Sequence, residues 1–237
     1  VNAIFISHLH GDHCFGLLGL LSTFGLLGRT SKLKVFAPKD YEDLFKQQVD
    51  FFMQTIEYEI EFVPVDTEQQ KVVYEDHSVT VETVPLRHRL PCCGYIFREK
   101  PTLPHIRRDM IDYYGIPISQ INNIKNGADW TTEEGNVIPN SRLVEPAEPP
   151  RSYAYCSDTC YLPDLYKRLK DVTVLYHEST YTSEQEERAK LYYHSTARQA
   201  AQVAKDAGVK TLLLGHFSAR YKDESVLRDE AREIFPN

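Results

Sequence analysis

Ser7-His8-Leu9-His10-Gly11-Asp12-His13 follows directly on the apolar, β-branched run Ala3-Ile-Phe-Ile-Ser7. Four metal-capable side chains lie within six residues at the end of what reads as a buried strand. Imidazole nitrogens and a carboxylate are borderline-to-hard donors that suit Zn²⁺, with Mn²⁺ or Fe as rivals. The spacing divides the labour. His8 and His10 lie two apart, so extended backbone points them the same way, while Gly11 permits a turn that lets Asp12 and His13 face a neighbouring point. One cation for each pair is the natural reading. The chain has nine histidines in 237 residues, and three of them fall in this window, which argues against a solvated loop with chance histidines.

One loop cannot fill two coordination spheres, so further ligands are expected at other strand ends, where α/β sites gather. Three positions qualify. His88 follows the run ending Thr83-Val84-Pro85-Leu86, Asp158 follows Tyr155-Cys156-Ser157, and His216 follows Thr211-Leu-Leu-Leu-Gly215. Each alone reads more readily as a cap or a hydrogen-bonded loop residue; with the opening cluster the balance changes. A carboxylate can bridge two cations through its two oxygens, which makes Asp158 the bridging candidate.

The pattern predicts alternating strands and helices. Strands are expected at Ala3–Ser7, Leu33–Ala37, Ile60–Val65, Lys71–Tyr74, Ser78–Val84, Gly94–Arg98, Ser152–Cys156, Val172–Tyr176 and Thr211–Leu214. Helices are expected at Phe15–Leu27, Tyr41–Met53, Leu162–Leu169, Thr196–Ala207 and Ser225–Ile234. From about Glu99 to Pro150 the texture changes to Pro, Asn, Gly and charge with weak periodicity, which reads as an inserted arm within one domain spanning residues 1–237. The chain opens inside a strand, which points to N-terminal strands that are missing.

Lys and Arg total 27 against 34 Asp and Glu, a net charge of −7. Nucleic-acid affinity draws on basic surface, so an RNA site here has to be local or helped by bound cations. Five cysteines, odd in number and with Cys92 and Cys93 adjacent, fit thiols in a reducing, cytoplasmic setting better than a disulfide framework. No apolar run approaches the ~20 residues of a membrane helix, so no membrane partner is expected.

His-x-His-x-Asp-His followed by a distant His, Asp and His resembles the metallo-β-lactamase superfamily. Finer features resemble its tRNase Z family over nearly the whole chain: Phe15-Gly-Leu-Leu-Gly-Leu-Leu21 after the first motif, Leu86-Arg-His-Arg-Leu-Pro-Cys-Cys-Gly-Tyr-Ile96, Tyr176-His-Glu-Ser-Thr-Tyr181, His194-Ser-Thr-Ala197 and Gly215-His-Phe-Ser-Ala-Arg-Tyr221. Ser179 takes the place of an alanine in the His-Glu-Ala-Thr motif. Two larger departures stand out: this sequence lacks the family's N-terminal strand region, and Gly115–Gly127, in the place of the arm's Gly-Pro element, has no Gly-Pro pair.

The resemblance implies an α/β fold, the αβ/βα sandwich of two mixed β-sheets flanked by helices, with a protruding arm. It implies two Zn²⁺ ions per subunit, the first on His8, His10 and His88, the second on Asp12, His13 and His216, bridged by Asp158. The activity implied is endonucleolytic removal of the 3′ trailer from precursor tRNA, leaving a 3′-hydroxyl, by a cytoplasmic homodimer. Asp12 would orient the attacking water or take its proton, and His194, oriented by Glu178, would protonate the leaving oxygen. A plainer role for the His194 segment is capping, with Ser195 or Thr196 starting the helix near Ala197. Arg107, Arg108 and Lys125 of the arm are the expected RNA contacts, though nearby acids nearly balance them. Tyr192-Tyr193 could stack on a base or simply pack. A phosphodiesterase or arylsulfatase of the same fold acting on small molecules would use the same metals without needing the arm, and an RNA-binding module without catalysis would not need all seven ligands.

Overall fold

The computed structural model describes residues 1–236. The chain divides into two units, Val1–Arg98 with Ser152–Asn237, and Glu99–Arg151. In chain order the larger unit begins with β1 (Ala3–Phe5), α1 (Gly11–Cys14), α2 (Gly16–Leu26), β2 (Leu33–Pro38), α3 (Glu42–Phe52), β3 (Ile60–Val65), β4 (Val72–Glu75), β5 (Val79–Pro85) and β6 (Cys93–Glu99). The smaller unit holds β7 (His105–Ile106), α4 (Arg108–Tyr114), α5 (Ile118–Lys125), β8 (Trp130–Thr131), β9 (Val137–Ile138), α6 (Asn140–Leu143) and β10 (Val144–Glu145). The larger unit resumes with β11 (Ser152–Cys156), α7 (Leu165–Arg168), β12 (Val174–Glu178), α8 (Glu186–Tyr192), α9 (Ala197–Ala207), β13 (Thr211–Gly215) and α10 (Ser225–Arg232).

Two sheets form the centre of the larger unit. One is parallel, ordered β1-β2-β3; the other has six strands ordered β13-β12-β11-β6-β5-β4 and is mixed, with β11, β12 and β13 parallel and β6 antiparallel to β11. The two-residue period of each strand makes the layers. In β2, Leu33, Val35 and Ala37 turn outward onto Leu17 and Leu21 of α2 and Phe45 of α3, while Phe36 between them turns inward. The inward faces meet in an aromatic layer, where Phe5 stacks on Phe36 at 4.7 Å and meets Tyr95 at 5.2 Å and Phe97 at 5.3 Å. Tyr95 donates its hydroxyl to the Ile6 carbonyl at 2.9 Å, so this buried phenol is hydrogen-bonded. On the far side Ile96, Ala154, Cys156 and Leu175 pack on α7, α9 and α10. Helix, sheet, sheet, helix is the expected sandwich.

α9 lies close on its sheet because its buried face is largely alanine: Ala197, Ala200, Ala201, Ala204 and Ala207 are at most 1% exposed. Thr196 starts it with a capping box shared with Gln199, and Gly208, at φ 67°, ends it in the left-handed conformation that glycine adopts without strain. Gly94 has no freedom to change, since a Cβ there would strike the Tyr155 carbonyl in the neighbouring strand.

The smaller unit has a core of its own, Ile116, Ile124, Ile138 and Leu143, with Trp130 and Tyr114 packed against it. Two two-stranded ladders, β7 with β10 and β8 with β9, close it. Its elements run two to eight residues. Segments that short show no readable period, which is why the sequence reads as irregular there. Elsewhere the helix expected at Leu162–Leu169 shrinks to a single turn at Leu165–Arg168, because Pro163 sits inside the longer range.

Candidate metal centre

Strand ends carry the site. β1 hands over to Ile6, whose N–H still pairs with the Phe36 carbonyl at 2.8 Å; the Ser7 carbonyl accepts from Cys93 N–H at 3.1 Å, and His10 is extended just before α1. α1 begins at Gly11 and turns Asp12 and His13 back over the same point. β5 delivers His88, β11 delivers Asp158, β12 ends in Glu178, and β13 delivers His216. Asp158 and His216 both take left-handed backbone, each at φ 57°. Non-glycine residues hold such angles at a cost of about 1–3 kcal/mol, and they cluster where function needs them. Gly215 beside His216 is required for packing, since a Cβ would run into the Tyr176 ring.

The seven expected donors converge. His8 Nε2 lies 3.1 Å from His10 Nδ1, which lies 3.2 Å from His88 Nε2. Asp158 stands between two groups: Oδ2 is 3.7 Å from His8 Nε2 and from His88 Nε2, and 3.3 Å from His216 Nε2, while Oδ1 is 3.3 Å from His13 Nε2. Asp12 Oδ2 lies 3.5 Å from His13 Nε2. Ligand atoms of His8, His10, His88 and Asp158 all fall within 4.8 Å of one another, as do those of Asp12, His13 and His216.

The donor set fits cations. Metal-binding imidazole must be neutral, with a lone pair aimed at the ion. Burial pushes His8 down to about 4 against the pull of Asp158, and burial likewise lowers His88. Burial alone would raise Asp158, but the His13 hydrogen bond, the His216 charge and the Ser157 hydroxyl outweigh it and hold the carboxyl well below the usual range. Hydrogen bonds behind the rings fix which nitrogen is free. His88 Nδ1 faces the Tyr193 carbonyl at 3.0 Å and must donate to it, which leaves Nε2 bare toward the cluster. The Thr180 hydroxyl donates to Glu178 Oε2 at 2.6 Å and so accepts from His216 Nδ1 at 2.9 Å, which bares His216 Nε2 in the same way.

Glu178 is fully buried and is the hub beside the cluster. It accepts from the backbone N–H groups of Thr159 at 2.7 Å and Ser195 at 3.0 Å, besides the Thr180 hydroxyl. His194 Nδ1 meets its Oε1 at 2.9 Å. The His194 ring stacks on His216 at 5.1 Å and lies 5.0 Å from His88. Burial works against charge on His194, but the hydrogen bond and charge of Glu178 prevail, and its pKa is raised. Thr196 caps α9, as the plainer reading of the segment expects, while His194 stands before the cap with its ring beside His88 and His216. His177 is structural in character, buried with Nδ1 donating to the Glu178 carbonyl at 2.7 Å.

The cluster opens on a cavity of about 270 Å³ whose walls include Asp12, Arg89, Tyr181, Tyr192 and His194. Sequence reading passed over Arg89, Tyr181 and Thr180, although Arg89 was in view beside His88. The Arg89 guanidinium sits 5.0 Å over the Tyr192 ring and that of Arg188 sits 5.3 Å over it. With Arg87 and Lys190 nearby in the larger unit, they concentrate positive charge locally in a chain of net charge −7. Arg107, Arg108 and Lys125 all lie in the smaller unit. Arg107 is engaged by Asp109 at 2.7 Å, Arg108 starts α4 and Lys125 ends α5.

A beta-lactamase superfamily domain model matches residues 1–106. Ribonuclease Z from Bacteroides fragilis is 55% identical over 237 residues, all of this chain and 78% of that protein. Ribonuclease Z from Porphyromonas gingivalis is 46% identical over 232 residues, 98% of this chain and 76% of that protein. Among solved structures, human tRNase Z, short form, aligns with a TM-score of 0.61 at 23% identity, covering 92% of this chain and 73% of that one. The Bacillus subtilis metallo-beta-lactamase fold protein YhfI aligns with a TM-score of 0.62 at 16% identity, which is a likeness of fold. At such identity over its full length, with the donor cluster in place at the strand ends, the chain belongs to the ribonuclease Z family.

Proposed function

We propose that this protein is a zinc-dependent endoribonuclease that cuts precursor tRNA on the 3′ side of the discriminator region, removing the 3′ trailer and leaving a 3′-hydroxyl. Its relatives named ribonuclease Z support the substrate. The observation that carries the chemistry is Asp158 standing between two donor groups with an acid, His194, at their edge. His8, His10 and His88 would hold one Zn²⁺, and Asp12, His13 and His216 a second, with Asp158 shared. Ions there would acidify water and offset phosphate charge.

The chain's own groups supply the proton transfers. Asp12 is the most exposed of the carboxylates at the site, its side chain 71% exposed, and it orients the attacking water and takes its proton. His194, held by Glu178, gives a proton to the leaving 3′ oxygen. Arg107, Arg108 and Lys125 add phosphate contacts from the inserted unit.

A homodimer is supported by the exposed apolar side chains of Phe15, Leu20, Leu26 and Leu27 along α2. A cytoplasmic setting is supported by five unpaired cysteines. No helix among the described residues is long and apolar enough to cross a membrane.

Zinc-loaded protein incubated with precursor tRNA should release the trailer and leave a 3′-hydroxyl. Cleavage of bis-p-nitrophenyl phosphate alone would overturn the reading in favour of a small-molecule esterase. Asp12→Ala should lose at least about 100-fold in turnover, the scale of a lost general base, while RNA affinity by filter binding changes little.

A further inference from the structure

A second cavity of about 470 Å³ adjoins the metal-centre cavity, and His194 lines both. Ligand pockets begin at roughly 300 Å³, so there is room for one nucleotide. The two cavities are furnished alike. Arg87 and Arg89 flank His88 in the bend after β5, and one lines each cavity. Tyr192 and Tyr193 precede His194 and are likewise divided between the cavities, Tyr192 from the last turn of α8 and Tyr193 from its left-handed cap. Arg89 over Tyr192 lines the first cavity, while Arg87, with its guanidinium 6.0 Å over Tyr193, lines the second. Lys190 adds another cation there, and Tyr161 another ring. Neither Arg87 nor Lys190 has a carboxylate partner within 4.0 Å among the described residues, so both charges are available.

Tyr193 carries a second observation. It ends α8 in left-handed backbone at φ 60°, where glycine would be free of strain. Its carbonyl meets His88 Nδ1, a duty any residue at that angle could perform. What tyrosine adds over glycine is the ring, and the ring belongs to the second cavity.

We infer that this cavity binds the ribonucleotide on the 5′ side of the scissile phosphate, the one that departs with the new 3′-hydroxyl. The inference rests on the proposed function. An acid that protonates the leaving 3′ oxygen has the donor cluster on one side and the departing nucleoside on the other, and this cavity is what lies beyond His194. Arg87 and Lys190 take the phosphate 5′ to that nucleotide, the Tyr193 ring offers a stacking face, and the hydrogen-bonded pair Glu186–Gln199, 3.1 Å apart, offers a polar edge to the base.

The test uses the zinc-loaded protein and a precursor tRNA whose bridging 3′ oxygen at the cut is replaced by methylene, so that it cannot be cleaved. A 4-thiouridine is placed either just 5′ or just 3′ of that bond, and crosslinked peptides are mapped by mass spectrometry. The 5′ probe should label peptides containing Tyr161 or Lys190–Tyr193, and Lys190→Ala with Tyr193→Gly should lower that yield at least fivefold and raise KM for the cleavable precursor. Labelling of those peptides from the 3′ probe alone, or of neither by the 5′ probe while the unmodified precursor is still cut, overturns the inference and leaves the function standing. Failure to cut the unmodified precursor overturns the function itself. Tyr193→Gly retains the left-handed turn and the carbonyl on His88, so thermal unfolding of that variant should match wild type, and a collapse of its melting temperature would mean the ring serves the fold instead.

Discussion

Glu178 shows how much one buried side chain can do here. It gathers three backbone N–H groups and a hydroxyl, and it hydrogen-bonds the one cavity-facing imidazole outside the proposed ligand set. Because its charge raises His194, the imidazolium persists to higher pH than an ordinary histidine would allow. A raised folded pKa keeps the acid loaded below the unfolded value and unloads it as pH rises through the folded one. Glu178→Gln removes the charge, so the alkaline limb of kcat for precursor tRNA should move to lower pH. The variant also turns an amide donor toward existing donors and should lose about 1–3 kcal/mol of stability in denaturant melts. A stability loss without movement of the alkaline limb would reduce Glu178 to a structural residue. The convergence of these seven donors was legible in the sequence because histidine is scarce and metal chemistry restricts the choice of side chain. Thr180, Arg89 and the Tyr193 carbonyl were not. A threonine that sets the His216 tautomer has no composition or spacing to distinguish it, and its role exists only once β12 and β13 lie side by side.

At the scale of elements, the same junction ties the proposed acid to the helix behind it. His194, Ser195 and Thr196 run consecutively from the imidazole held by Glu178 to buried hydrogen bonds to cap. Ser195 donates to the Thr159 carbonyl at 2.7 Å, and Thr196 accepts from Gln199 N–H at 3.2 Å to start α9. Removing the cap with Thr196→Ala should cost about 1 kcal/mol, within the 0.5–2 range for lost N-caps. Since α9 packs against β12 and β13, the first turn should also show faster amide hydrogen exchange at Ala197–Ala200. An unchanged melt would mean that the capping box contributes nothing here. Strands and helices of the larger unit were readable because each buries one face and so repeats at two or at 3.6 residues. β3 and β11 fall where the pattern puts them, and α2 differs by one residue at each end. Sheet order was not readable, for β6 pairs with β11 across the whole inserted unit, and no local pattern records a partner more than fifty residues away.

On the proposed function the whole molecule has to bind a polyanion with a net charge of −7, so its cations must be concentrated. Four stand about the two cavities: Arg87, Arg89, Arg188 and Lys190. In the inserted unit Arg107 is committed to Asp109 and Arg151 to Glu99, and Arg108 and Lys125 are the two remaining cations proposed to meet RNA. Each phosphate neutralised on a single strand adds about −0.7 to the slope of log K against log salt, so six such contacts give a slope of about −4 for precursor tRNA. Replacing Arg108 and Lys125 together by alanine should bring it to about −3, with weaker binding at low salt, if the inserted unit grips RNA. Filter binding over a salt series reads both numbers. A slope that stays the same in the double variant would confine the electrostatic contact to the catalytic rim and remove Arg108 and Lys125 from the RNA-binding surface. A wild-type slope near zero would mean that the local cations fail to offset the acidic remainder, and RNA recognition would then have to come from the metal centre and stacking alone.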